Sequence, residues 1–179
     1  MLKGNQIYLK PLDSSHAEAL LDMEVRNRDF FEQYTITREN DFYTMETQLE
    51  RLQEKKVAQE EDKGYHFGIF LSESSELIGE IGLFRIERGP AECGMVGYSL
   101  DKKHNGNGYM TEAIRLIVDY AFTSLKLHRI EAGAMPRNSG SIKVLEKSGF
   151  HKEGIARSNV NINGNWEDHQ MLAIINPDN

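Results

Sequence analysis

A short loop near the middle of the chain, Lys103-His-Asn-Gly106-Asn-Gly108-Tyr109, contains residue types that could hold a phosphate. Glycines let the backbone approach a ligand closely and turn successive N–H groups toward it. The N–H donors and positive dipole end of a following helix would strengthen such a site. The loop has neither the Gly-Lys-Ser/Thr ending of a P-loop nor the third glycine of the dinucleotide fingerprint. These residues alone predict either an anion site, most readily for pyrophosphate, or a turn that uses glycine only for its geometry.

Two other reactive residue types do not form a site by their spacing. The single cysteine, Cys93, has no histidine that the sequence can place beside it, so we expect a small core residue rather than a nucleophile. The six histidines show no His-x-x-x-His spacing. We therefore expect no metal site.

The elements around the loop must position it. The sequence predicts a strand over 92–100, a helix over 109–125 and a strand over 128–135. This strand–helix–strand unit should supply a parallel strand pair by a right-handed crossover. A short helix over 138–148 should end at Gly149.

The rest of the chain alternates between strand and helix patterns. Strands near 65–71 and 77–86 should form an antiparallel meander with 92–100, and strands near 151–162 and 165–175 flank the hairpin signal Asn163-Gly164. A first strand is expected over 6–12. Two helices precede the meander, one with Ala17, Leu20, Leu21 and Glu24 at helical spacing and one from about Thr44 with Met45, Leu49 and Leu52 on one face.

The pattern predicts one α+β domain over residues 1–179, with a mixed, mostly antiparallel central sheet, a parallel strand pair and about four helices. A net charge of −7 argues against nucleic-acid binding, which requires clustered cations, and is compatible with a cationic acceptor. No apolar run is long enough to cross a bilayer, and the opening residues contain no apolar signal segment. The lone cysteine fits a reducing compartment, so we expect a cytoplasmic protein.

Two sequence blocks resemble the GNAT family of N-acetyltransferases. The run Gly97-Tyr98 through Lys103-x-x-Gly106-x-Gly108 to Glu112-Ala113 is similar to the family's pyrophosphate loop, Gln/Arg-x-x-Gly-x-Gly/Ala, with lysine in its first place. The second block is Asn138-x-x-Ser141-x-x-Val144-Leu145-Glu146-Lys147-x-Gly149-Phe150. The ending, from Gly154 to His169, most resembles the branch that acetylates N-termini of ribosomal proteins, with polyamine acetyltransferases as close relatives. The resemblance covers roughly residues 6–175.

The resemblance implies acetyl-CoA as co-substrate, bound where two neighbouring strands splay apart. Backbone groups of Tyr98, Ser99 and Leu100 would pair with the pantetheine arm, and Asn138 would bond to it, unless Asn138 serves as a helix N-cap. Ser141 would lie near the sulfur. The pyrophosphate would lie against residues of the loop: Lys103, His104, Asn105, Gly106, Asn107, Gly108 and Tyr109. Lys103 is equally compatible with a solvated lysine.

The implied reaction is direct aminolysis of a thioester, in which a carboxylate helps to deprotonate the amine and an acid assists the leaving thiolate. Glu92 and Glu80 are the candidate carboxylates, although either one can equally be a solvent-facing strand residue. Many relatives have a tyrosine acid where this chain has Leu145, which leaves Ser141 or Tyr98 as substitutes and weakens the polyamine interpretation.

The aromatic segment over 29–43 falls where the family places acceptor-binding loops. Its aromatic residues are Phe30, Phe31, Tyr34, Phe42 and Tyr43. They could form an apolar slot for the acceptor, with Glu32, Glu39 and Asp41 attracting a cationic amine. We expect at least two of the aromatic residues to belong to the core instead.

Three functions remain open. The first is acetylation of a protein or peptide N-terminus, for example of a ribosomal protein. The second is acetylation of a small amine such as a polyamine, amino sugar or aminoglycoside. The third is a non-catalytic acyl-CoA-binding module. The resemblance also makes a homodimer through the closing strands reasonable, with no membrane or nucleic-acid partner.

Overall fold

Eight strands form one sheet. In this computed structural model, which describes residues 1–179, the strands are β1 (Leu2–Lys3), β2 (Ile7–Lys10), β3 (Tyr65–Leu71), β4 (Leu77–Glu87), β5 (Cys93–Leu100), β6 (Arg129–Ala134), β7 (His151–Ile162) and β8 (Asn165–Ile175). Their spatial order is β1-β2-β3-β4-β5-β6-β8-β7. Every neighbouring pair is antiparallel except β5 and β6. The mixed sheet and its parallel pair are therefore confirmed.

Five α-helices cover the sheet: α1 (Ala17–Arg26), α2 (Arg28–Phe31), α3 (Met45–Glu60), α4 (Tyr109–Thr123) and α5 (Ser139–Lys147). The helix beyond the expected four is α2, a single turn. Residues of α4 and α5 share the larger core cluster with Ile7, Leu9 and Ile69, whereas residues of α1 and α3 pack with Phe70 and Leu77. The helices thus lie on both faces of the sheet. None of them is long and apolar enough to span a membrane.

The two strands of the parallel pair diverge. β5 and β6 are paired only at Cys93–Arg129, Gly94–Ile130 and Met95–Glu131. Beyond Met95, the second half of β5 continues beside β4 without a partner in β6. A wedge therefore opens between residues 96–100 and 132–134, at the end of β5 that leads into the glycine loop.

Helix α3 turns Leu52 inward as predicted, but not Met45 and Leu49. Met45 and Leu49 are 42% and 41% exposed, whereas Gln48 is fully buried. The Gln48 amide donates to the Phe42 carbonyl oxygen (2.7 Å) and accepts from Arg51 (2.6 Å), which satisfies its polar atoms. The buried stripe consequently continues along the helix through Arg51, Leu52 and Lys55 toward the sheet.

The closing hairpin forms as its turn residues predict. Asn163 and Gly164 have φ values of 55° and 86°, as a type I′ turn requires. The strand β7 lies at the edge of the sheet and is exposed along most of its length. Trp166 is 64% exposed on this hairpin.

Candidate active site

The glycine loop connects β5 to α4. A short 3-10 turn, Lys102–His104, precedes it, and Gly106 and Gly108 have φ values of 83° and 78°. Gly108 is the N-cap of α4. An L-amino acid with a side chain adopts this left-handed conformation only under strain, so both glycines are required by the path of the chain.

The loop presents unpaired N–H groups. The backbone N–H groups of residues 106–111 have no acceptor within the protein, and the first paired one belongs to Glu112 (to the Gly108 carbonyl oxygen, 3.1 Å). A Cβ atom at either glycine would meet no atom within 4 Å, so the space in front of the loop is open. Consecutive free donors at the N-terminus of a fifteen-residue helix suit a pyrophosphate, so these residues fit the phosphate portion of acetyl-CoA.

The side chains of the loop serve partly to shape it. Lys103 Nζ pairs with a Glu76 carboxylate oxygen at 2.8 Å and is 54% exposed. His104 Nε2 is buried 3.5 Å from the same oxygen without forming a hydrogen bond. Asn107 donates to the carbonyl oxygens of His104 and Asn105, and the Tyr109 ring lies beside His104. The loop conformation is thus held from within.

Two hydroxyl groups meet at the wedge. Tyr98 and Ser141 share a hydrogen bond with an oxygen–oxygen distance of 2.6 Å. Burial raises the pKa of Tyr98 to about 12, so this phenol stays protonated at neutral pH. Asn138 caps α5 by accepting from the Ser141 N–H (3.3 Å), so the N-cap role is present and positions Ser141. The structure therefore brings together three of the predicted residues.

The backbone N–H and C=O groups of β5 point alternately toward β4 and toward the wedge. The Asp101 N–H donates to the Ile78 carbonyl oxygen in β4, so the N–H and C=O groups of Tyr98 and Leu100 point toward the wedge. The Ser99 side chain lies on the same face of the sheet as Glu80, its partner residue in β4, and both line the same cavity. This arrangement leaves backbone donors and acceptors available along the path expected for the pantetheine.

Leu145 is fully buried in the core. The position where many relatives are expected to have a tyrosine acid is therefore occupied here by a packing residue. The wedge instead contains the hydroxyl groups of Tyr98 and Ser141.

Glu92 lies away from this pair. It precedes β5, seven positions before Ser99 and roughly 23 Å from it along an extended strand. Its carboxylate accepts from the Gly89 N–H (2.9 Å) and from Arg88 (3.1 Å), and these contacts lower its pKa. Glu92 has positive φ (40°) and closes the turn between β4 and β5. We therefore assign it a structural role in place of the predicted catalytic one.

Glu80 lies in a cavity of about 230 Å³ on the α3 side of the sheet. Its carboxylate pairs with Lys55 and lies 3.6 Å from Arg51. Burial alone would raise the pKa of Glu80, but the two cations outweigh burial and lower it. The cavity is lined by Lys55, His66, Glu80, Ile81, Gly82, Phe84, Gly97, Tyr98 and Ser99. It adjoins the segment of β5 that borders the wedge.

Sequence reasoning missed the cations and the second carboxylate of this region. Arg51 and Lys55 belong to the buried stripe of α3, and Arg51 Nη1 lies 3.7 Å from Glu24 of α1. Burial and then Lys55 lower the pKa of His66 to about 4, so its ring is neutral. A usable signal was present: Glu24 occurs at helical spacing with Ala17 and Leu20, on a face that is otherwise apolar.

The aromatic segment lies beside the same cavity. Phe42 packs against the guanidinium of Arg51 (4.9 Å), and Tyr43 against that of Arg28 (4.5 Å). All five aromatic residues are half-buried and none belongs to either core cluster, so the expectation that at least two are core residues is wrong. The remaining three are Phe30, Phe31 and Tyr34.

The chain is similar to known acetyltransferases along nearly its whole length. The profile of the acetyltransferase (GNAT) domain matches residues 6–151. The probable N-acetyltransferase YjcK of Bacillus subtilis is 60% identical over 99% of this chain and 98% of its own. The [ribosomal protein uS5]-alanine N-acetyltransferase of Escherichia coli is 29% identical over 99% of this chain and 91% of its own. The crystal structure of ribosomal-protein-S5-alanine acetyltransferase from Vibrio fischeri has a TM-score of 0.92, with 34% identity over 98% of this chain and 96% of that one.

Proposed function

Because the chain belongs to the GNAT family and is an acetyl-CoA-dependent N-acetyltransferase, we propose that its acceptor is the N-terminal amine of a protein or peptide. Relatives named for ribosomal-protein alanine acetylation match almost the full length of the chain, which supports this acceptor. This chain has Leu145 at the position where we expect a tyrosine in polyamine acetyltransferases, which also favours a protein or peptide acceptor over a polyamine. We also propose that the protein acts in the cytoplasm.

In this proposal, the donor and the acceptor approach from opposite sides of the wedge. The free N–H groups of residues 106–111 hold the pyrophosphate. The backbone of Tyr98 and Leu100, with Asn138, holds the pantetheine, so that the thioester lies near Ser141. The acceptor amine enters by the cavity beside Glu80, whose negative charge attracts an ammonium group.

The proposed chemistry requires two proton transfers. One proton leaves the ammonium to produce the nucleophile, and a second leaves the nitrogen once the N–C bond has formed. The Tyr98 and Ser141 hydroxyl groups pass a proton toward the sulfur as the C–S bond breaks. Because a thiol has a pKa of only about 8–9, the leaving group requires modest assistance.

One observation carries the proposal: the hydrogen-bonded Tyr98–Ser141 pair lies at the wedge, between the free N–H groups of the glycine loop and the charged cavity. A phosphate-binding turn alone would not require a hydrogen-bonded pair of half-buried hydroxyl groups there. Their position matches the place where a leaving thiolate would need a proton.

Thiol release from acetyl-CoA tests the acceptor class. Short peptides that begin with Ala, Ser or Met should accelerate release, and mass spectrometry should locate the acetyl group on the α-amine. The matched control is each peptide with a formylated N-terminus and an internal lysine, which should give no acceleration. Acceleration by spermidine or an aminoglycoside alone would favour the small-amine function. Binding of acetyl-CoA without turnover on any amine would favour the non-catalytic module.

Replacement of the hydroxyl groups tests the mechanism. Ser141→Ala and Tyr98→Phe should each lower kcat by roughly 10- to 100-fold, with little change in the acetyl-CoA Kd, because they act on the leaving group. Ser139→Ala, an exposed serine of the same helix, is the matched control and should retain full activity. Wild-type kcat in both hydroxyl variants would remove the pair from the mechanism.

A further inference from the structure

Glu24 is a buried carboxylate without a hydrogen bond. It lies in the C-terminal half of α1, is 9% exposed, and accepts from no N–H or O–H group of the protein. Its nearest ionic neighbour is Arg51 Nη1 at 3.7 Å, beyond hydrogen-bonding distance. Burial of an ionisable group without such bonds costs folding free energy, so this residue requires an explanation.

The position of Arg51 explains why Glu24 remains unbonded. Gln48 accepts from the Arg51 guanidinium at 2.6 Å, and the Phe42 ring packs against it at 4.9 Å. The guanidinium is thereby held between two carboxylates, 3.7 Å from Glu24 and 3.6 Å from Glu80. It balances their charge and leaves the oxygens of Glu24 available to another donor.

The oxygens of Glu24 are also accessible. Among side-chain atoms that are fully enclosed, only His104 Nε2 lacks a hydrogen-bond partner. The oxygens of Glu24 have no such partner either, so they must retain contact with solvent. Arg51 joins Glu24 to Glu80, so the carboxylate lies on the side of the sheet where the cavity beside Glu80 lies.

We propose that Glu24 is the carboxylate that receives the acceptor's ammonium group and takes up its proton before acetyl transfer. This assignment rests on the proposed function, because it names the proton acceptor of that reaction. Glu80 then contributes charge to the cavity, since Lys55 and Arg51 hold it in its ionised form.

The electrostatic surroundings support this division of roles. Burial and then the charge of Glu80 raise the pKa of Glu24, whereas the two cations lower the pKa of Glu80. A base whose pKa lies closer to neutral accepts a proton from an amine more readily. The charged and titratable groups that face Glu24 are Glu80 from β4, Arg51 and Lys55 from α3, and Arg38 and Tyr43 from the aromatic segment over 29–43.

The proton balance is complete without another reactant. The ammonium transfers one proton to the Glu24 carboxylate, and the free amine attacks the thioester carbon. The N–C bond forms and the C–S bond breaks. The second nitrogen proton reaches the sulfur through the Tyr98–Ser141 pair, and Glu24 later releases its proton to water.

The pH dependence of kcat/KM for a peptide acceptor tests the assignment with Glu24→Gln. Without the carboxylate, the amine must arrive already deprotonated, so the activity of the variant should follow the free-amine fraction. With an α-amine pKa of about 8, the loss should be roughly 30-fold near pH 6.5 and should nearly disappear near pH 9. Glu24→Asp should recover part of the activity, the exposed Glu18→Gln on the same helix should match the wild type, and the acetyl-CoA Kd should not change.

Melting temperature separates this role from a structural one. Because the pKa of Glu24 is raised in the folded protein, its ionised form lowers the free energy of unfolding. This destabilisation is fully present above the folded-state pKa and absent below the ordinary value of 4.5. Glu24→Gln should therefore melt no lower than the wild type at pH 7.5. An equal activity loss at every pH, or wild-type activity of the variant, would overturn the assignment of Glu24 while leaving the proposed function intact. Failure of the wild type to acetylate any amine would overturn both.

Discussion

At the scale of single residues, the donor loop depends on two glycines whose role is conformational. Gly106 and Gly108 have positive φ, and nothing in the protein lies where their side chains would be. A side chain at either position would occupy the open space in front of the free N–H groups. The same atoms that would strain the backbone would therefore also obstruct a phosphate.

Gly108→Val should raise the acetyl-CoA Kd at least about tenfold, or ~1.4 kcal/mol, because the added atoms block the approach of the phosphates. Isothermal titration calorimetry measures this directly. Gly89→Val is the matched control, since Gly89 also has positive φ (89°) and open space but lies in the turn after β4. Equal losses of affinity in both variants would mean that strain alone, and not obstruction, causes the effect.

At the scale of elements, α1 connects the acceptor side to the donor loop. Asp101 accepts from Arg26 at 2.8 Å, and the Asn27 side chain accepts from the Lys102 N–H at 2.9 Å. Asp101 and Asn27 are 2% and 3% exposed. Burial alone would raise the pKa of Asp101, but bonds from Arg26 and the Lys103 N–H outweigh it and lower the pKa. The end of α1 thus holds the first turn of the loop.

Asp101→Asn should raise the acetyl-CoA Kd by roughly three- to tenfold, because the loop loses the charged anchor that orients its first turn. Asp22→Asn is the matched control, because it removes the other carboxylate that pairs with Arg26 (2.7 Å). The Asp22 side chain is 63% exposed, and exposed ion pairs contribute little to stability. Fluorescence titration of acetyl-CoA compares the two. Affinity that is unchanged in a folded Asp101→Asn protein would contradict the anchoring role.

At the scale of the whole molecule, the closing hairpin and the residues near it contact the aromatic segment over 29–43. The Thr37 N–H donates to the Asn163 side chain at 2.6 Å, across 126 positions of sequence. Arg137 lies between Glu167 Oε2 (3.4 Å) and the Gln33 carbonyl oxygen (3.5 Å). These contacts join residues 33–37 to the closing hairpin, and Arg137 immediately precedes α5, which carries Ser141.

Arg137→Ala should raise the KM for a peptide acceptor a few-fold while leaving the acetyl-CoA Kd unchanged. The substitution removes a contact to the aromatic segment over 29–43, where we expect the acceptor to bind, and leaves the glycine loop intact. Steady-state kinetics at saturating acetyl-CoA provide the measurement. Arg157→Ala is the control, since this exposed arginine of β7 in the closing hairpin forms no ion pair. A larger effect on acetyl-CoA binding than on acceptor KM would place the contact on the donor side instead.

Local patterns in the sequence determined a large part of this protein. The meander, the helix after the glycine loop, the Asn163-Gly164 turn and the parallel pair all follow from short-range periodicity, turn chemistry and crossover handedness. The two motif blocks also identified the family and the donor. These features were predictable because each depends on neighbours within one or two elements.

Only the tertiary structure decided which polar groups meet. Tyr98 and Ser141 are 43 positions apart, and Glu24, Arg51 and Glu80 come from three elements. Periodicity shows that a helix has an inner face, but it assigns that face to apolar residues, so it missed the inward positions of Gln48 and Arg51 in α3. The reason is physical: the charge of Arg51 is balanced by Glu24 and Glu80 from two other elements, and a one-dimensional pattern carries no record of such distant partners.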